Sequence, residues 1–314
     1  MLVIRGVPER AAQPAVLTIG NFDGVHRGHR ALLGRMVDKA SELGLPAVVL
    51  TFEPHPREFF APESAPPRLS DLRDKALRLA ECGVDRMVVC RFNRSLAGLS
   101  AQAFVDRILV SGLAVRHLFI GDDFRFGRGR GGDLAFLQQA GQGAGFAVES
   151  LHTVSVEDER VSSSAVRAAL AADELDHAAR LLGRPYSISG RVAHGDKIGR
   201  QLGFATANIR LRHVPPPLRG IFAVSVEGAG PLALPAVASL GVRPTVTDSG
   251  RFLLETHIFD FDGDLYGRRI QVNFHRKLRN EARYDSLDAL TAQIAQDARD
   301  ARAFFAAAPG VALD

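Results

Sequence analysis

The chain has 314 residues, of which 46% are hydrophobic and 24% are charged, and two of them are cysteines. This composition is typical of a soluble globular protein long enough for two domains, and two cysteines are too few for a disulfide framework. No apolar run reaches the roughly 20 residues that a membrane span needs, and the first residues lack a signal-peptide pattern. We therefore expect a cytoplasmic protein with no membrane partner.

The formal net charge is only +4, although the sequence pI is about 9.4. Mildly basic, mixed charge suits phosphate-bearing small ligands. Because no basic and aromatic platform accompanies it, we expect no nucleic-acid partner. A solvated surface with a slight excess of positive charge explains the value equally well.

The first half alternates short apolar runs with helical patterns. Strands separated by helices of about 10–15 residues predict βαβ units around a parallel sheet. We therefore predict a Rossmann-like α/β domain, a class that binds ligands at the carboxyl ends of its strands. The predicted strands are residues 15–19, 47–52, 86–90, 117–120 and 146–151, and the predicted helices are residues 28–43, 71–82, 101–111 and 133–140.

The second half follows a helical stretch at residues 165–182 and contains short β-rich runs broken by glycine and proline. Such runs predict an antiparallel β-barrel. An amphipathic pattern at residues 286–307, with Ser286 as N-cap, predicts a C-terminal helix packed on the barrel. The predicted domains are residues 1–183 and residues 184–314. The predicted barrel strands are residues 187–192, 221–226, 236–240, 253–259 and 270–274.

Residues 20–29 read GNFDGVHRGH, between the first predicted strand and the first helix. Backbone N–H groups at a helix N-terminus form an anion site, and glycines let the backbone approach phosphates closely. His26 and His29 are three residues apart, so both can face one side of the first turn and stabilise charge that grows on a reacting phosphorus. Metal ligands or ordinary surface histidines are the alternatives.

Three further segments of the first half support a ligand site. TFEPHP at residues 51–56 ends an apolar strand, and GDDFRFG at residues 121–127 follows another. RVSSSAVR at residues 160–167 offers hydroxyls and a guanidinium at a helix start, which suits phosphate. An ordinary serine N-cap explains this last segment as well.

Residues 195–209 combine glycines, a cation, a hydroxyl and an amide. Gly199 and Arg200 could cradle phosphates. Thr206 and Asn208 are two apart, so on a strand they share a face, and their oxygens suit Mg²⁺. Glu255, in another predicted strand, could accept a hydroxyl proton during phosphoryl transfer. Each of these residues also fits a purely structural role.

The histidine motif and the late serine motif resemble the nucleotidyltransferase superfamily. The four first-half segments, in this order, resemble the bacterial bifunctional riboflavin kinase/FMN adenylyltransferases, also called FAD synthetases. In the second half, GFATAN at residues 203–208 is similar to the riboflavin kinase signature, as are GVRPT at residues 241–245 and FDGDLYG at residues 261–267. One departure is Ala205, where the family usually has proline. Loss of this proline reduces the preorganisation of the backbone, at a cost of about 0.4–1 kcal/mol.

This resemblance implies phosphorylation of riboflavin to FMN in the barrel, with Glu255 as base, and adenylylation of FMN to FAD in the first domain, with release of pyrophosphate. It implies Mg²⁺ at Thr206 and Asn208, and riboflavin, FMN and ATP as small-molecule partners. The implied ATP contacts are Gly20, Phe22, His26, His29, Ser163, Ser164, Arg167, Gly199, Arg200, Thr206 and Asn208. The implied flavin contacts are Pro54, Pro56, Phe60 and Asp123.

Three other functions remain compatible with the sequence. The chain could transfer nucleotides to another phosphate ester and use the barrel only for binding. It could also sense flavin without turnover, although a sensor need not carry both sets of catalytic side chains. An RNA-binding barrel would need a basic and aromatic face, which the sequence lacks. A homo-oligomer is compatible with all of these functions.

Overall fold

The computed structural model describes residues 1–151, 155–156, 159–195, 203–211, 215–242 and 252–307. The chain divides into two units, one formed by residues 1–66 and 70–163, the other by residues 67–69 and 164–314. Within the described ranges, no helix is both long and apolar enough to cross a membrane.

A six-stranded parallel sheet forms the centre of the first unit, in the order β1-β4-β3-β2-β5-β6. Five of the strands were predicted, and the short, mostly exposed edge strand β1 was not. The Rossmann-like prediction is confirmed. The strands are β1 (Leu2–Arg5), β2 (Ala15–Ile19), β3 (Ala47–Glu53), β4 (Arg86–Arg91), β5 (Val115–Gly121) and β6 (Ala147–Leu151). Two further short strands, β7 (Ser155–Val156) and β8 (Glu159–Arg160), pair antiparallel as a separate sheet.

The strand order reverses between β2 and β5, because β3 lies on one side of β2 and β5 on the other. Open α/β sheets bind ligands at such a switch point, beyond the carboxyl ends of the strands. The loop that follows β2 therefore lies where this fold class places a ligand.

Helices flank the sheet. Four of them were predicted, whereas the short helices at residues 56–60 and 94–97 were not, and one predicted helix differs in form. The helix predicted at residues 101–111 begins as a short α-helix and continues as a π-helix, Val105–Gly112. Both forms turn Val105, Ile108 and Leu109 towards the core, so apolar spacing alone could not separate them. The α-helices are α1 (Arg27–Leu43), α2 (Pro56–Phe60), α3 (Leu72–Glu81), α4 (Arg94–Ala97), α5 (Ala101–Phe104) and α6 (Leu134–Ala144).

The helical stretch predicted at residues 165–182 is two helices, α7 (Ser163–Ala171) and α8 (Leu175–Leu182). Asp173 lies between them with φ of 63°, a left-handed conformation that cannot continue a right-handed helix. The predicted stretch is therefore helical, and this turn divides it into two helices.

Six antiparallel strands close into a barrel, in the order β10-β13-β12-β11-β14-β9, as the sequence predicted. The final helix, α9 (Leu287–Ala307), packs Ala298, Ala301 and Phe305 on the barrel, and Ser286 caps it by accepting from the Ala289 N–H at 3.1 Å. The strands are β9 (Tyr186–Ala193), β10 (Ala207–Arg210), β11 (Gly220–Glu227), β12 (Leu234–Val242), β13 (Phe252–Ile258) and β14 (Arg269–Arg279).

Candidate active sites

His26 is the N-cap of α1. Its backbone is extended, and its Nδ1 accepts a hydrogen bond from the His29 N–H at 3.2 Å. A neutral imidazole that accepts at Nδ1 carries its proton on Nε2. The cap therefore leaves His26 with a ring N–H donor at the helix N-terminus.

Close packing around the His26 ring explains the glycine that follows it by two residues. A Cβ on Gly28 would lie 3.2 Å from His26 Nδ1 and 3.3 Å from the Val161 carbonyl oxygen. Any larger residue would displace the ring or the backbone of the late serine motif. The placement of His26 thus favours glycine at position 28.

The His29 ring stacks on His26, with centroids 3.6 Å apart and planes 16° from parallel. Its Nδ1 is buried and has no hydrogen-bond partner among the described residues. Burial, together with the nearby His26 and Lys75, lowers the pKa of His29 well below 6.5. His29 is therefore neutral at physiological pH and can donate one hydrogen bond without carrying charge.

The sequence reasoning missed Lys75, a buried charged residue on α3. Lys75 shares a helical face with Leu72 and Leu79, at the spacing of three and four residues that brings side chains together. A lysine on an apolar helical face is the signal that could have found it.

The structure joins the late serine motif to the loop after β2. The Ser163 hydroxyl donates to the Asp23 carbonyl oxygen at 2.9 Å, and Arg160 forms an exposed ion pair with Asp123 at 2.8 Å. Ser164 lies exposed on α7, and the Arg167 Nε donates to the Pro67 carbonyl oxygen at 2.6 Å. The predicted ATP contacts of these two residues stay predictions.

In the barrel, the strand register brings Asn208 and Glu255 together. The two residues lie directly opposite each other on β10 and β13, so their side chains share one face. The Asn208 side-chain N–H donates to the Thr206 carbonyl oxygen at 3.3 Å, whereas its Oδ1 is buried without a hydrogen-bond partner in the described ranges. The register thus pairs Asn208 with Glu255, whereas Thr206 lies just before β10, outside the strand on which the sequence placed it.

A cavity of about 330 Å³ opens beside Thr206 and Asn208. The loop between β13 and β14 forms one wall, to which Asp262, Leu265 and Tyr266 contribute. The site therefore combines oxygen donors with a pocket large enough for part of a nucleotide.

Two family models match the chain, one described as FAD synthetase over residues 9–165 and one described as riboflavin kinase over residues 182–305. The bifunctional riboflavin kinase/FMN adenylyltransferase of Pseudomonas fluorescens is 54% identical, over 92% of this chain and 93% of the relative. The enzyme of the same name from Escherichia coli strain K12 is 52% identical, over 97% of this chain and 98% of the relative. The chain belongs to the bifunctional riboflavin kinase/FMN adenylyltransferase family.

A crystal structure titled as a macrolide-efflux protein from Streptococcus pneumoniae also shares the fold of this family member. Its TM-score is 0.80 at 27% identity, and the match covers 96% of this chain and 99% of that one. The efflux function in that protein's name does not extend to this chain.

This family member replaces the usual proline of its kinase signature with Ala205, and the structure shows what holds the segment. His257 Nδ1 of β13 donates to the Ala205 carbonyl oxygen at 2.9 Å, directly before Thr206. Gly199 and Arg200, the predicted phosphate contacts, lie outside the described residues.

The segment after β3 carries the other predicted ligand contacts of this family member. Pro54 follows a cis peptide bond, and Pro56 begins α2, which His55 caps. The Phe60 side chain is 67% exposed, and its ring lies 5.5 Å from that of Phe92. An exposed aromatic ring beyond a strand end could stack on a planar ligand.

Gly20 and Phe22, two further predicted ATP contacts, begin the loop after β2. The Gly20 N–H donates to the Leu50 carbonyl oxygen at 3.0 Å. Phe22 is buried, with its ring centroid 4.9 Å from that of His29. Phe22 therefore supports His29 from within the core, and its contact with ATP stays a prediction.

Proposed function

We propose that this chain converts riboflavin to FMN in its barrel and FMN to FAD in its parallel-sheet domain. The observation that carries the proposal is the coexistence of two groups of candidate catalytic residues. His26 and His29 lie at the switch point of the sheet, and Asn208 faces Glu255 on the barrel. The two family matches support one reaction for each half.

In the kinase reaction, the 5′-hydroxyl oxygen of riboflavin attacks the γ-phosphorus of ATP. Glu255 accepts the hydroxyl proton as the new P–O bond forms and the bond to ADP breaks. Glu255 is exposed, so a substrate hydroxyl can reach its carboxylate. The products are FMN and ADP, and Gly199 and Arg200 are proposed to contact the phosphates.

The donors near Glu255 fit Mg²⁺. The Asn208 Oδ1 has no hydrogen-bond partner in the described part of the chain, and Thr206 offers a hydroxyl two residues away. Hydroxyl and amide oxygens suit this hard cation, which usually keeps substrate phosphates among its ligands. When bound, Mg²⁺ would neutralise charge on the phosphates that Thr206 and Asn208 orient.

In the adenylyl transfer, a phosphate oxygen of FMN attacks the α-phosphorus of a second ATP, and pyrophosphate leaves. The His26 Nε2–H and the neutral His29 ring donate hydrogen bonds to the phosphate oxygens on which negative charge grows. Such preorganised donors stabilise the transition state more than the ground state. No covalent nucleophile from the protein is required.

We place this enzyme in the cytoplasm and expect no nucleic-acid partner. We assign the phosphorylation of riboflavin to residues 184–314 and the adenylylation of FMN to residues 1–183. Pro54, Pro56, Phe60 and Asp123 are proposed to line the flavin site. A homo-oligomer is compatible with this scheme.

Incubation of the purified chain with riboflavin, ATP and Mg²⁺, followed by chromatography of the flavins, tests the proposal. FMN should form first and FAD should follow. Labelled FMN supplied with ATP should yield FAD and pyrophosphate directly. Absence of both products, or nucleotide transfer only to a non-flavin acceptor, contradicts the proposal.

A further inference from the structure

The residue that links the loop after β2 to a distant segment is Asp23. Asp23 is 5% exposed, and its Oδ1 accepts two hydrogen bonds from Ser70, from the backbone N–H at 3.1 Å and from the hydroxyl at 3.2 Å. Ser70 lies two residues before α3 and 47 residues from Asp23 in the chain. The contact is therefore tertiary and unrelated to local turn formation.

The same Ser70 hydroxyl also accepts a hydrogen bond from the Gly24 N–H at 3.2 Å. A single hydroxyl thus donates to the Asp23 carboxylate and accepts from the next backbone amide. The proton of the hydroxyl and one of its two lone pairs are both engaged, and these two bonds fix its orientation.

The backbone that Ser70 contacts has an unusual conformation. Phe22 and Val25 have φ of 46° and 42°, and both are non-glycine residues held in the left-handed region. Both are also buried. Such a conformation persists only where several surrounding contacts stabilise it, and it is most frequent at functional sites.

A second hydroxyl holds the loop from another direction, because Ser163 donates to the Asp23 carbonyl oxygen at 2.9 Å. Two separate segments therefore form hydrogen bonds to Asp23, Ser70 to its carboxylate and Ser163 to its carbonyl oxygen. Val25 is the only residue between Gly24 and the helix cap His26. Any shift of the Asp23–Gly24 backbone is consequently transmitted to the imidazole that caps α1.

We propose that Ser70 is a positioning residue for the adenylyl transfer, acting through Asp23 and Gly24 to hold the His26 N–H donor in place. The inference rests on the proposed function of this loop. Ser70 itself touches no reacting atom in this scheme. Its role is to hold the backbone of residues 22–25 in the conformation that directs the His26 Nε2–H towards the phosphate oxygens.

Loss of the Ser70 hydroxyl should lower kcat for FAD formation more than it changes KM. The Gly24 amide loses its acceptor and the Asp23 carboxylate loses one donor, so the cap relaxes. Misplaced donors cost transition-state stabilisation, and we expect a fall in kcat of about tenfold with KM for FMN within about twofold.

Three variants of the full chain test the inference. Ser70→Ala removes the hydroxyl, and Ser70→Thr retains it. Ser64→Ala is a matched control, because the Ser64 hydroxyl donates within its own turn, to the Ala61 carbonyl oxygen. Steady-state FAD formation from supplied FMN is measured at a temperature at which circular dichroism shows all variants folded. Only Ser70→Ala should lose kcat, and Ser70→Thr should recover most of it.

Riboflavin phosphorylation by the same samples serves as an internal reference and should be unchanged. Unchanged kcat in Ser70→Ala, an equal fall in both reactions, or failure of Ser70→Thr to recover kcat would each overturn the inference. Failure of the proposed function gives a different result, because the unmodified chain itself would then form no FAD from FMN.

Discussion

At the scale of single residues, the two histidines that follow β2 make different contacts. His26 accepts the capping hydrogen bond of α1 at Nδ1 and keeps a proton on Nε2, whereas the His29 ring stacks on it with centroids 3.6 Å apart. Burial and the positive charge of Lys75 keep His29 neutral. The pair is therefore suited to donate hydrogen bonds rather than to exchange protons with the substrate.

This arrangement predicts how His29 titrates. Because the pKa of His29 lies well below 6.5, the ring should stay neutral as the pH falls from 8 to 6.5 and should gain a proton only in more acidic solution. Nitrogen-15 NMR of the histidine rings, assigned with a His29→Gln variant, measures this directly. FAD formation should therefore show no loss attributable to His29 across that range. Titration of His29 at 6.5 or above contradicts the prediction.

At the scale of secondary-structure elements, the barrel depends on a close contact between β9 and β10. A Cβ on Gly190 of β9 would lie 2.3 Å from the Cγ2 of Ile209 on β10. β10 is short and carries Asn208, so its position also sets the distance between Asn208 and the rest of the site. The glycine thus contributes to the site through packing alone.

We expect Gly190→Ala to destabilise the barrel by about 1–3 kcal/mol, the usual cost of overpacking a core. Riboflavin phosphorylation should then be lost at a lower temperature, while FAD formation from FMN should keep its thermal profile. Gly230→Ala is the matched control, since its Cβ would meet no atom closer than 3.9 Å. Thermal inactivation of the two reactions in one sample measures both effects. Equal inactivation temperatures for Gly190→Ala and the unmodified chain would contradict the packing argument.

At the scale of the whole molecule, the residues proposed for the two reactions are separate, so we expect that each reaction can be removed alone. His29→Ala should abolish FAD formation from FMN and leave FMN formation near normal. Glu255→Ala should block phosphorylation of riboflavin and leave FAD formation from supplied FMN intact.

An equimolar mixture of the two variants should convert riboflavin to FAD, because FMN released by one protein is a substrate for the other.

Chromatography of the flavins, with each variant alone as the control, measures this complementation. Survival of phosphorylation in Glu255→Ala would show that the base is another group. Failure of the mixture, although each variant keeps its remaining reaction, would show that FMN does not pass between chains.

Local sequence patterns predicted the architecture of both halves correctly and supplied the candidate residues of both sites. Apolar periodicity separates the βαβ half from the barrel half, since the two folds expose their side chains with different periods. The three-residue spacing placed His26 against His29, although His26 is the N-cap just before α1. Thr206 and Asn208 line one cavity, but Thr206 lies just before β10, so the two-residue period of a strand does not explain their proximity.

Only the tertiary structure decided which distant groups meet at these sites. The hydroxyl of Ser70 reaches Asp23 across 47 residues, and Asn208 faces Glu255 only through the pairing register of β10 and β13. The burial that keeps His29 neutral likewise comes from packing of the whole unit. Such contacts depend on how strands align and how loops close in space, and a local sequence pattern does not specify either.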